Sequence, residues 1–371
     1  MKNSDVIQLV LFITFSFAGF PAYAQDESEQ DSPKRSTPQT AFTRADKDGD
    51  GRLDPDEVKN AALFKRMDTN ADGFVTQKEA QSHAKRRRAR ENAAATEEVS
   101  NIPVFPADPD GEAAKRKLLS SIANVTAGDK RPPNVVLLFS DDLGYGDISM
   151  HGSKEIPTPN IDALGKQGVR FSNAYVTAAS CSPSRAGLMS GRYQQRFGFE
   201  FNTAGGAITH RLHRGLDPSV VTMTDVLKQA GYVTGMFGKW HLGTQPQFHP
   251  RARGFDEFYG FLAGAHSFFS AKTPQPFHSS IMRDRSPLIE PEYLTDAIAR
   301  ETVRFIGANR DKTFFAYVPF NAVHTPIEAT KKYQDRFPNE SDQTKRDYYA
   351  MTSALDDAVG SIVAALDRNG L

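Results

Sequence analysis

Short apolar runs alternate with segments of helical periodicity from Asn134 to the end of the chain. An uninterrupted apolar run of this length is typical of a strand covered on both faces. We predict strands at Val135–Phe139, Val169–Val176, Tyr232–Phe237 and Thr313–Val318, and helices from Thr158 to Gly165, Thr224 to Ala230, Tyr293 to Asn309 and Tyr348 to Asn369. Strands that alternate with helices favour the α/β class, here a mostly parallel sheet sandwiched by helices over 134–371.

The first 39 residues have the features of an export signal and a flexible lead-in. Lys2 precedes an apolar run from Val6 to Phe20, and Ala22-Tyr23-Ala24 supplies a small-residue cleavage site. We predict a signal peptide at 1–24 and a secreted or periplasmic protein. The run is short and interrupted by polar residues, so no stable membrane insertion is expected. Residues 25–39 are rich in charge, serine and proline, which favours a flexible lead-in.

Two acidic loops then follow in tandem, and each has the ligand pattern of an EF-hand. Side-chain oxygens stand at loop positions 1, 3, 5, 9 and 12, a backbone carbonyl at 7 and a glycine at 6. The candidate calcium ligands are Asp46, Asp48, Asp50, the Arg52 carbonyl, Asp54 and Glu57 in the first loop, and Asp68, Asn70, Asp72, the Phe74 carbonyl, Thr76 and Glu79 in the second. We predict a small all-α EF-hand pair at 40–84.

Only Val58 to Met67 separates the two loops, which leaves room for about one helix of three turns. This compact spacing favours a structural role, or the docking of a partner, over the behaviour of a calcium sensor. A charged, Pro-rich linker is predicted at 85–133. Lys and Arg together number 45, as do Asp and Glu, so the net charge gives no reason to expect nucleic acid as a partner.

Polar side chains follow each strand predicted after Asn134. Ligand sites of parallel α/β sheets lie outside the carboxyl ends of the strands, where such side chains come together. We therefore expect one edge of the sheet to carry Asp141, Asp142, Cys181, Lys239, His241 and His324.

Cys181 is the only cysteine, so it has no disulfide partner within the chain. Pro183 suits the first turn of a helix, which would place Cys181 at the positive end of that helix. Arg185 follows one turn later. This arrangement favours an anionic substrate.

The stretch Cys181-Ser182-Pro183-Ser184-Arg185, followed by Leu188-Met189-Ser190-Gly191-Arg192, resembles the signature of the type I sulfatases. Asp141–Asp147 and Gly238–Gly243 also resemble motifs of that family. The resemblance implies an alkaline-phosphatase-like fold and hydrolysis of sulfate esters, for which we expect sulfated carbohydrates as substrates. It implies that a maturation enzyme converts Cys181 to formylglycine, whose hydrated aldehyde attacks sulfur. It also implies a calcium ion held by Asp141, Asp142 and the residue at position 181.

The resemblance and the charge of a sulfate ester together suggest a role for each remaining residue. Lys239 and the histidines would hold the negative charge of the sulfate. We assign His324 as the acid for the leaving alcohol, and His241 as the base that removes a proton from the sulfated intermediate. Arg185 would orient the formylglycine.

The sequence departs from the family at its end. The family's second half-site for the metal, an Asp-Asn pair, lies on a strand after the helix with which this chain finishes. Asp356 and Asp357 lie within that predicted helix and cannot replace the pair. The resemblance thus covers Asn134 to Leu371, the N-terminal portion of the family's catalytic region, and we expect this chain alone to turn over sulfate esters poorly or not at all.

Two alternatives remain open at this point. The first is a phosphonate or phosphate monoester hydrolase of the same superfamily. The second is a non-catalytic, calcium-binding docking protein, in which the EF-hand pair is the functional part.

Overall fold

The computed structural model describes residues 9–15, 38–58, 60–85, 108–127, 131–203, 214–270 and 280–371. The predicted lead-in and the basic first half of the predicted linker lie mostly outside the described residues. The chain divides into two units, one of Met1–Gly19 with Val104–Leu371 and one of Phe20–Pro103.

The elements follow the chain as a small calcium-loop unit and a larger α/β unit. They are β1 (Leu9–Phe15), α1 (Pro38–Ala45), β2 (Arg52–Leu53), α2 (Ala61–Met67), β3 (Val75–Thr76), α3 (77–85), α4 (Pro109–Ser120), β4 (Val135–Gly144), α5 (Pro159–Gln167), α6 (Cys181–Ser190), α7 (Met223–Gln229), β5 (Val233–Lys239), β6 (Glu257–Phe261), β7 (Ile281–Arg283), β8 (Ser286–Leu288), α8 (Leu294–Ala308), β9 (Phe314–Pro319), α9 (Lys331–Gln334) and α10 (Gln343–Arg368).

The larger unit is built on a seven-stranded sheet of order β1-β4-β9-β5-β6-β7-β8. The first five of these strands pair in parallel, and β7 and β8 add an antiparallel edge. Val135 lies opposite Phe315 in β9, and Val233 lies opposite Phe314. The mostly parallel α/β sheet predicted from the sequence is confirmed.

Both faces of the sheet are covered, which explains the continuous apolar runs in the sequence. Val136 and Leu138 of β4 belong to a core shared with α5, α8 and α10, whereas Leu137 and Phe139 belong to a second core shared with α6 and α7. Successive residues of a strand point to opposite faces, so every position of the run is buried in one core or the other.

One predicted strand is wrong. Residues 169–176 lie outside the sheet, and the side chains of Val169, Phe171 and Tyr175 are 79%, 59% and 77% exposed. The alternating pattern suits a strand, but a strand also needs a neighbour to pair with its backbone, and none of the described strands lies beside this segment. Cys181 therefore arrives on α6 rather than at the end of a sheet strand.

The outer strand β1 comes from within the predicted signal peptide. It runs parallel to β4, with Leu9 opposite Val135 and Ile13 opposite Phe139. The backbone groups on that side of β4 are paired by this segment, so removal of a leader at 1–24 would leave them unpaired. The signal peptide and export stay predictions.

The predicted linker contains a packed helix. Lys115 of α4 donates from Nζ to the carbonyls of Pro218 (3.1 Å) and Val220 (3.3 Å) and lies 2.7 Å from a carboxylate oxygen of Asp225 in α7. The Asp108 side chain caps the helix by accepting from the Gly111 amide at 2.8 Å. These contacts join α4 to the α/β unit.

The calcium-loop unit has its own core, made of Phe42, Leu53, Val58, Phe64, Met67 and Val75. Its loops add one short antiparallel strand pair, β2 with β3, to the predicted helices. The connecting helix α2 has seven residues and is shorter than the three turns expected from the spacing. In the part of the chain that the structure describes, no helix combines the length and the apolar content that crossing a bilayer requires.

Candidate active site and calcium loops

Asp141 lies at the centre of the candidate site, at the carboxyl half of β4. Its backbone amide donates to the Ala322 carbonyl (2.9 Å), and its carbonyl accepts from the Val323 amide (2.7 Å), so the segment after β9 holds it on both sides. Lys239 Nζ donates to Asp141 Oδ2 at 2.5 Å, and Arg185 Nη2 lies 3.3 Å from Oδ1. Burial disfavours the charged carboxylate, but Lys239 and Arg185 outweigh it and hold the pKa of Asp141 well below its usual range.

Arg185 joins the helix that begins at Cys181 to the strand that ends at Lys239. Its Nη1 donates to the Lys239 carbonyl at 2.8 Å, and its guanidinium carbon lies 5.2 Å from the centre of the Phe139 ring. The side chain is fully buried. Its Nε has no hydrogen-bond partner among the described residues, so the guanidinium retains unused donor capacity.

Lys239 is positioned by close contact between β5 and β9. Gly238 has a φ of +135°, and a Cβ added there would lie 2.0 Å from the Pro319 carbonyl oxygen. Only glycine allows the two strands to approach this closely in this conformation. The following Trp240 is fully buried and donates from Nε1 to the Phe248 carbonyl at 2.8 Å, which anchors the turn between Lys239 and His241.

Cys181 is the first residue of α6 and is partly buried. One ligand atom from each of Cys181, Asp141 and His324 falls within 4.8 Å of the others. Burial raises the pKa of the Cys181 thiol to about 11, an effect that the charge of Lys239 only partly offsets. The unmodified thiol is therefore uncharged at neutral pH and a weak nucleophile.

Asp142 and His324 form the exposed side of the site. His324 Nε2 lies 3.7 Å from Asp142 Oδ2, and His324 Nδ1 lies 2.7 Å from the Thr325 carbonyl. Because a carbonyl only accepts, Nδ1 carries a proton and Nε2 faces the carboxylate. Desolvation and the neighbouring Asp141 carboxylate raise the pKa of Asp142. Asp142 also has a φ of 58°, a conformation that is costly for a residue with a Cβ.

His241 is buried beside the Lys239 turn, also with a positive φ, of 56°. Its Nε2 lies 3.1 Å from the Thr203 carbonyl. Burial, followed by the charges of Lys239 and Arg185, lowers the pKa of His241 well below its usual value. The imidazole is therefore neutral at pH 7.

The predicted grouping of site residues is found in the structure, although their roles stay predictions. Direct contacts join Asp141, Lys239 and Arg185, and Cys181, His324 and Asp142 lie next to them. The sequence gave no motif for Asn202 and Thr203, which contact Ser182 and His241, or for Asn321. Asn321 is buried, and its side-chain amide has no partner among the described residues.

The described residues provide part of a calcium shell at this site. Asp141 and Asp142 offer the carboxylate oxygens that calcium prefers, but the ion takes six to eight oxygens. Asp356 does not contribute, because it is buried in α10 and accepts hydrogen bonds from the start of α5. Asp141 and Asp142 fit the predicted metal as one part of its site.

The first EF-hand loop has a geometry that suits calcium. Carboxylate oxygens of Asp46, Asp48 and Glu57 lie within 4.8 Å of one another. The Asp46 carboxylate accepts from the amides of Gly49 (2.8 Å) and Gly51 (3.1 Å), which curls the loop around it. Glu57 closes the loop by accepting from the Lys47 amide at 2.5 Å.

The second loop repeats this arrangement. Asp68 accepts from the Gly73 amide at 3.1 Å, and Glu79 accepts from the amides of Thr69 and Thr76, both at 3.0 Å. The hydrogen bonds from Thr76 are the main reason that the pKa of Glu79 falls to about 2. Both loops thus present oxygen donors in the order that calcium requires.

Family comparison agrees with both parts of the chain. A family model described as Sulfatase matches residues 133–371, and a model described as EF hand matches residues 39–61 and 60–81.

Among curated proteins, the chain is 33% identical over 264 residues to an arylsulfatase of Klebsiella aerogenes, covering 67% of this chain and 56% of that protein. It is 33% identical over 257 residues to N-acetylgalactosamine-6-sulfatase of Homo sapiens, covering 65% and 48% respectively. The chain spans about half the length of the curated relatives that it matches.

Among solved structures, Ps i-CgsB in complex with k-i-k-neocarrahexaose matches with a TM-score of 0.60 and 38% identity, covering 64% of this chain and 55% of that chain. PsFucS1 sulfatase from Pseudoalteromonas sp. matches with a TM-score of 0.53 and 27% identity, covering 71% and 57%.

Proposed function

Because this chain belongs to the sulfatase family, we propose that it hydrolyses sulfate esters and that its substrates are sulfated carbohydrates. The observation that carries the proposal is the buried cluster in which Lys239 and Arg185 share Asp141 beside Cys181. The similarity to Ps i-CgsB, whose structure contains k-i-k-neocarrahexaose, supports a carbohydrate substrate.

The charges of the cluster suit a sulfate monoester. Lys239 and Arg185 are cations without access to bulk water, and a buried cation interacts more strongly with an anion than an exposed one does. Cys181, at the N-terminal end of α6, is a suitable position for the reacting atom, since the amides of the first turn favour negative charge. Attack on sulfur is helped when such groups already surround the developing charge.

Cys181 itself is proposed to be converted to formylglycine by a maturation enzyme. Formylglycine would supply a hydrated aldehyde, whose hydroxyl is the nucleophile for sulfur. The raised pKa of the Cys181 thiol supports this proposal, because an uncharged thiol is poorly suited to the attack. Arg185, anchored on the Lys239 carbonyl, would keep position 181 oriented toward Asp141.

Two histidines are proposed to move protons. His324 lies on the exposed side with its Nε2 free to carry a proton toward the leaving alcohol. His241 is buried and neutral, which suits the acceptance of a proton from the position 181 side of the site. Asp141 and Asp142 would hold calcium, which would lower the repulsion between nucleophile and sulfate.

The EF-hand unit is proposed to bind calcium and to serve a structural or docking role outside the cytosol. Its oxygen donors fit the ion, and extracellular calcium is high enough to fill weak loops. Export by a signal peptide at 1–24 belongs to the same proposal.

The decisive experiment follows the single thiol. The chain is produced with and without a formylglycine-generating enzyme, and Cys181 is assayed by alkylation and intact mass, with Cys181→Ala as the control. We expect the alkylatable thiol to disappear only with the enzyme. A thiol that stays unmodified would contradict the proposal and favour the non-catalytic docking protein.

Turnover is then tested on a sulfate ester and a phosphate ester of the same aryl alcohol. Preferential release from the sulfate ester supports the sulfatase, whereas preference for the phosphate ester favours the phosphate or phosphonate monoester hydrolase. The cation-rich site is compatible with either tetrahedral anion, so this comparison separates the two.

A further inference from the structure

A short chain of hydrogen bonds connects the start of α6 with His241. The Ser182 amide donates to Asn202 Oδ1 at 3.0 Å, and the Thr203 amide donates to Ser182 Oγ at 3.2 Å. The Thr203 carbonyl then lies 3.1 Å from His241 Nε2. Ser182, Thr203 and His241 are all buried, so water does not compete for these bonds.

The last contact fixes the tautomer of the imidazole. A backbone carbonyl accepts but does not donate, so the proton of a neutral imidazole must be on Nε2. His241 Nδ1 is then the atom with the free lone pair. It is buried and has no hydrogen-bond partner among the described residues.

We propose that Ser182 and Thr203 are positioning residues, which hold His241 as the tautomer protonated on Nε2 and leave Nδ1 as a proton acceptor. The proposal rests on the proposed function for the use of that acceptor, but the tautomer itself does not depend on turnover. Ser182 is the residue directly after Cys181, so the same hydrogen-bond chain couples the reacting position to the proposed base.

The other side of the ring restricts the imidazole as well. A Cβ added at Gly264 would lie 2.6 Å from His241 Nε2 and 2.7 Å from its Cε1. The ring is thus held between the Thr203 carbonyl and the backbone at Gly264. A flip that exchanged the two nitrogens would lose the hydrogen bond to Thr203 and leave a buried N–H unpaired.

The tautomer can be measured directly by nitrogen-15 NMR on the whole chain labelled at histidine. The chain has nine histidines, and the His241 signals are assigned by their loss in His241→Gln. We expect the wild type at pH about 7 to show one neutral tautomer with the proton on Nε2. A proton on Nδ1, or a doubly protonated ring, would overturn the proposal.

Variants test the two positioning residues separately from folding. Ser182→Ala removes the acceptor for the Thr203 amide, and we expect its His241 signals to shift toward a mixture of tautomers. Thr203→Ser keeps the carbonyl, the amide and a hydroxyl, and should retain the wild-type signals. Ser353→Ala is the matched control, since Ser353 is a buried serine whose Oγ accepts from Arg336 (2.8 Å) far along the sequence in α10.

Unchanged His241 signals in Ser182→Ala would remove Ser182 from the proposal, and equal changes in Ser353→Ala would show a general loss of structure instead. If Ser182→Ala does not fold, the wild-type tautomer and Thr203→Ser still decide the outcome. A chain with the expected tautomer but without hydrolysis would contradict the proposed function and leave this inference standing.

Discussion

Lys239 Nζ lies 2.5 Å from Asp141 Oδ2, and both side chains are fully buried. Arg185, buried as well, approaches the other oxygen of the same carboxylate. A buried charge that loses its partner cannot regain the water it gave up on folding. The residues proposed to hold sulfate are therefore also required for the stability of the α/β unit.

Lys239→Met should strongly destabilise the protein for this reason. Removal of one member of a buried ion pair costs about 3–5 kcal/mol, and the remaining Arg185 should keep the loss near the lower value. Urea unfolding followed by tryptophan fluorescence measures it, since the only tryptophan is the adjacent Trp240. Lys228→Met is the control, because its 2.8 Å pair with Asp256 is exposed and worth less than about 1 kcal/mol. Equal losses in both variants would contradict the expectation.

Gly264→Ala should disturb His241 without touching any charged group. The new methyl group would lie 2.6 Å from His241 Nε2, and overpacking of this kind costs about 1–3 kcal/mol. We expect the His241 nitrogen-15 signals to change. Gly307→Ala, in α8, meets nothing within 4 Å and should stabilise the helix by about 0.5–1 kcal/mol. Wild-type His241 signals in Gly264→Ala would show that the backbone at 264 moves away freely.

Local patterns explain why much of the fold could be predicted from the sequence. Val135–Phe139 indicates a strand because both of its faces are buried, and the EF-hand loops are recognisable because all their ligands come from twelve consecutive residues. Residues 169–176 have a strand pattern too, but pairing depends on a neighbour that the pattern does not encode. The helix α4 has no buried residues, so its amphipathic signal is weak.

The site was predictable where side chains carry the chemistry. Asp141, Lys239 and His324 each follow a sheet strand, and the ends of parallel strands meet. Thr203 escaped prediction because it acts on His241 through its backbone carbonyl, an atom that every residue has. Its place near His241 depends on the path of the chain between α6 and β5, which no local pattern specifies.

Asp356→Ala should destabilise the contact between α10 and α5. The Asp356 carboxylate accepts from the amide (3.2 Å) and side chain (2.8 Å) of Asn160 and from the Ile161 amide (2.9 Å). These donors belong to the first turn of α5, so the carboxylate acts as a cap supplied by another helix. We expect a loss of about 1–2 kcal/mol in urea unfolding. Asp357→Ala, which breaks only a partly exposed pair with Arg336, should cost less, and the reverse order would refute this role.

Stability should fall with acid through Glu301, which lies near Arg283, Arg300 and Arg304. Burial opposes its charge, but hydrogen bonds from these arginines lower its pKa from 4.5 to about 2. Below pH 4.5 the unfolded chain therefore binds more protons than the folded chain, and the free energy of unfolding decreases as the pH falls toward about 2. Urea midpoints at about pH 6, 4 and 3 should decrease less steeply in Glu301→Gln than in the wild type. Glu112→Gln, from an exposed pair with Arg116, should leave the slope unchanged.

Calcium should stabilise the EF-hand unit through Glu57 and Glu79, the last ligands of the two loops. A ligand that binds only the folded state raises the unfolding temperature with its concentration, by about 2.7 kcal/mol at a hundredfold excess over Kd. Glu57→Gln together with Glu79→Gln removes one carboxylate charge from each loop, and we expect the calcium-dependent shift to disappear. Asp56→Asn removes the same charge from a residue outside the ligand positions and should retain the shift. Retention of the full shift in the double variant would mean that calcium binds elsewhere in the chain, and the carboxylates of Asp141 and Asp142 would then be the first to test.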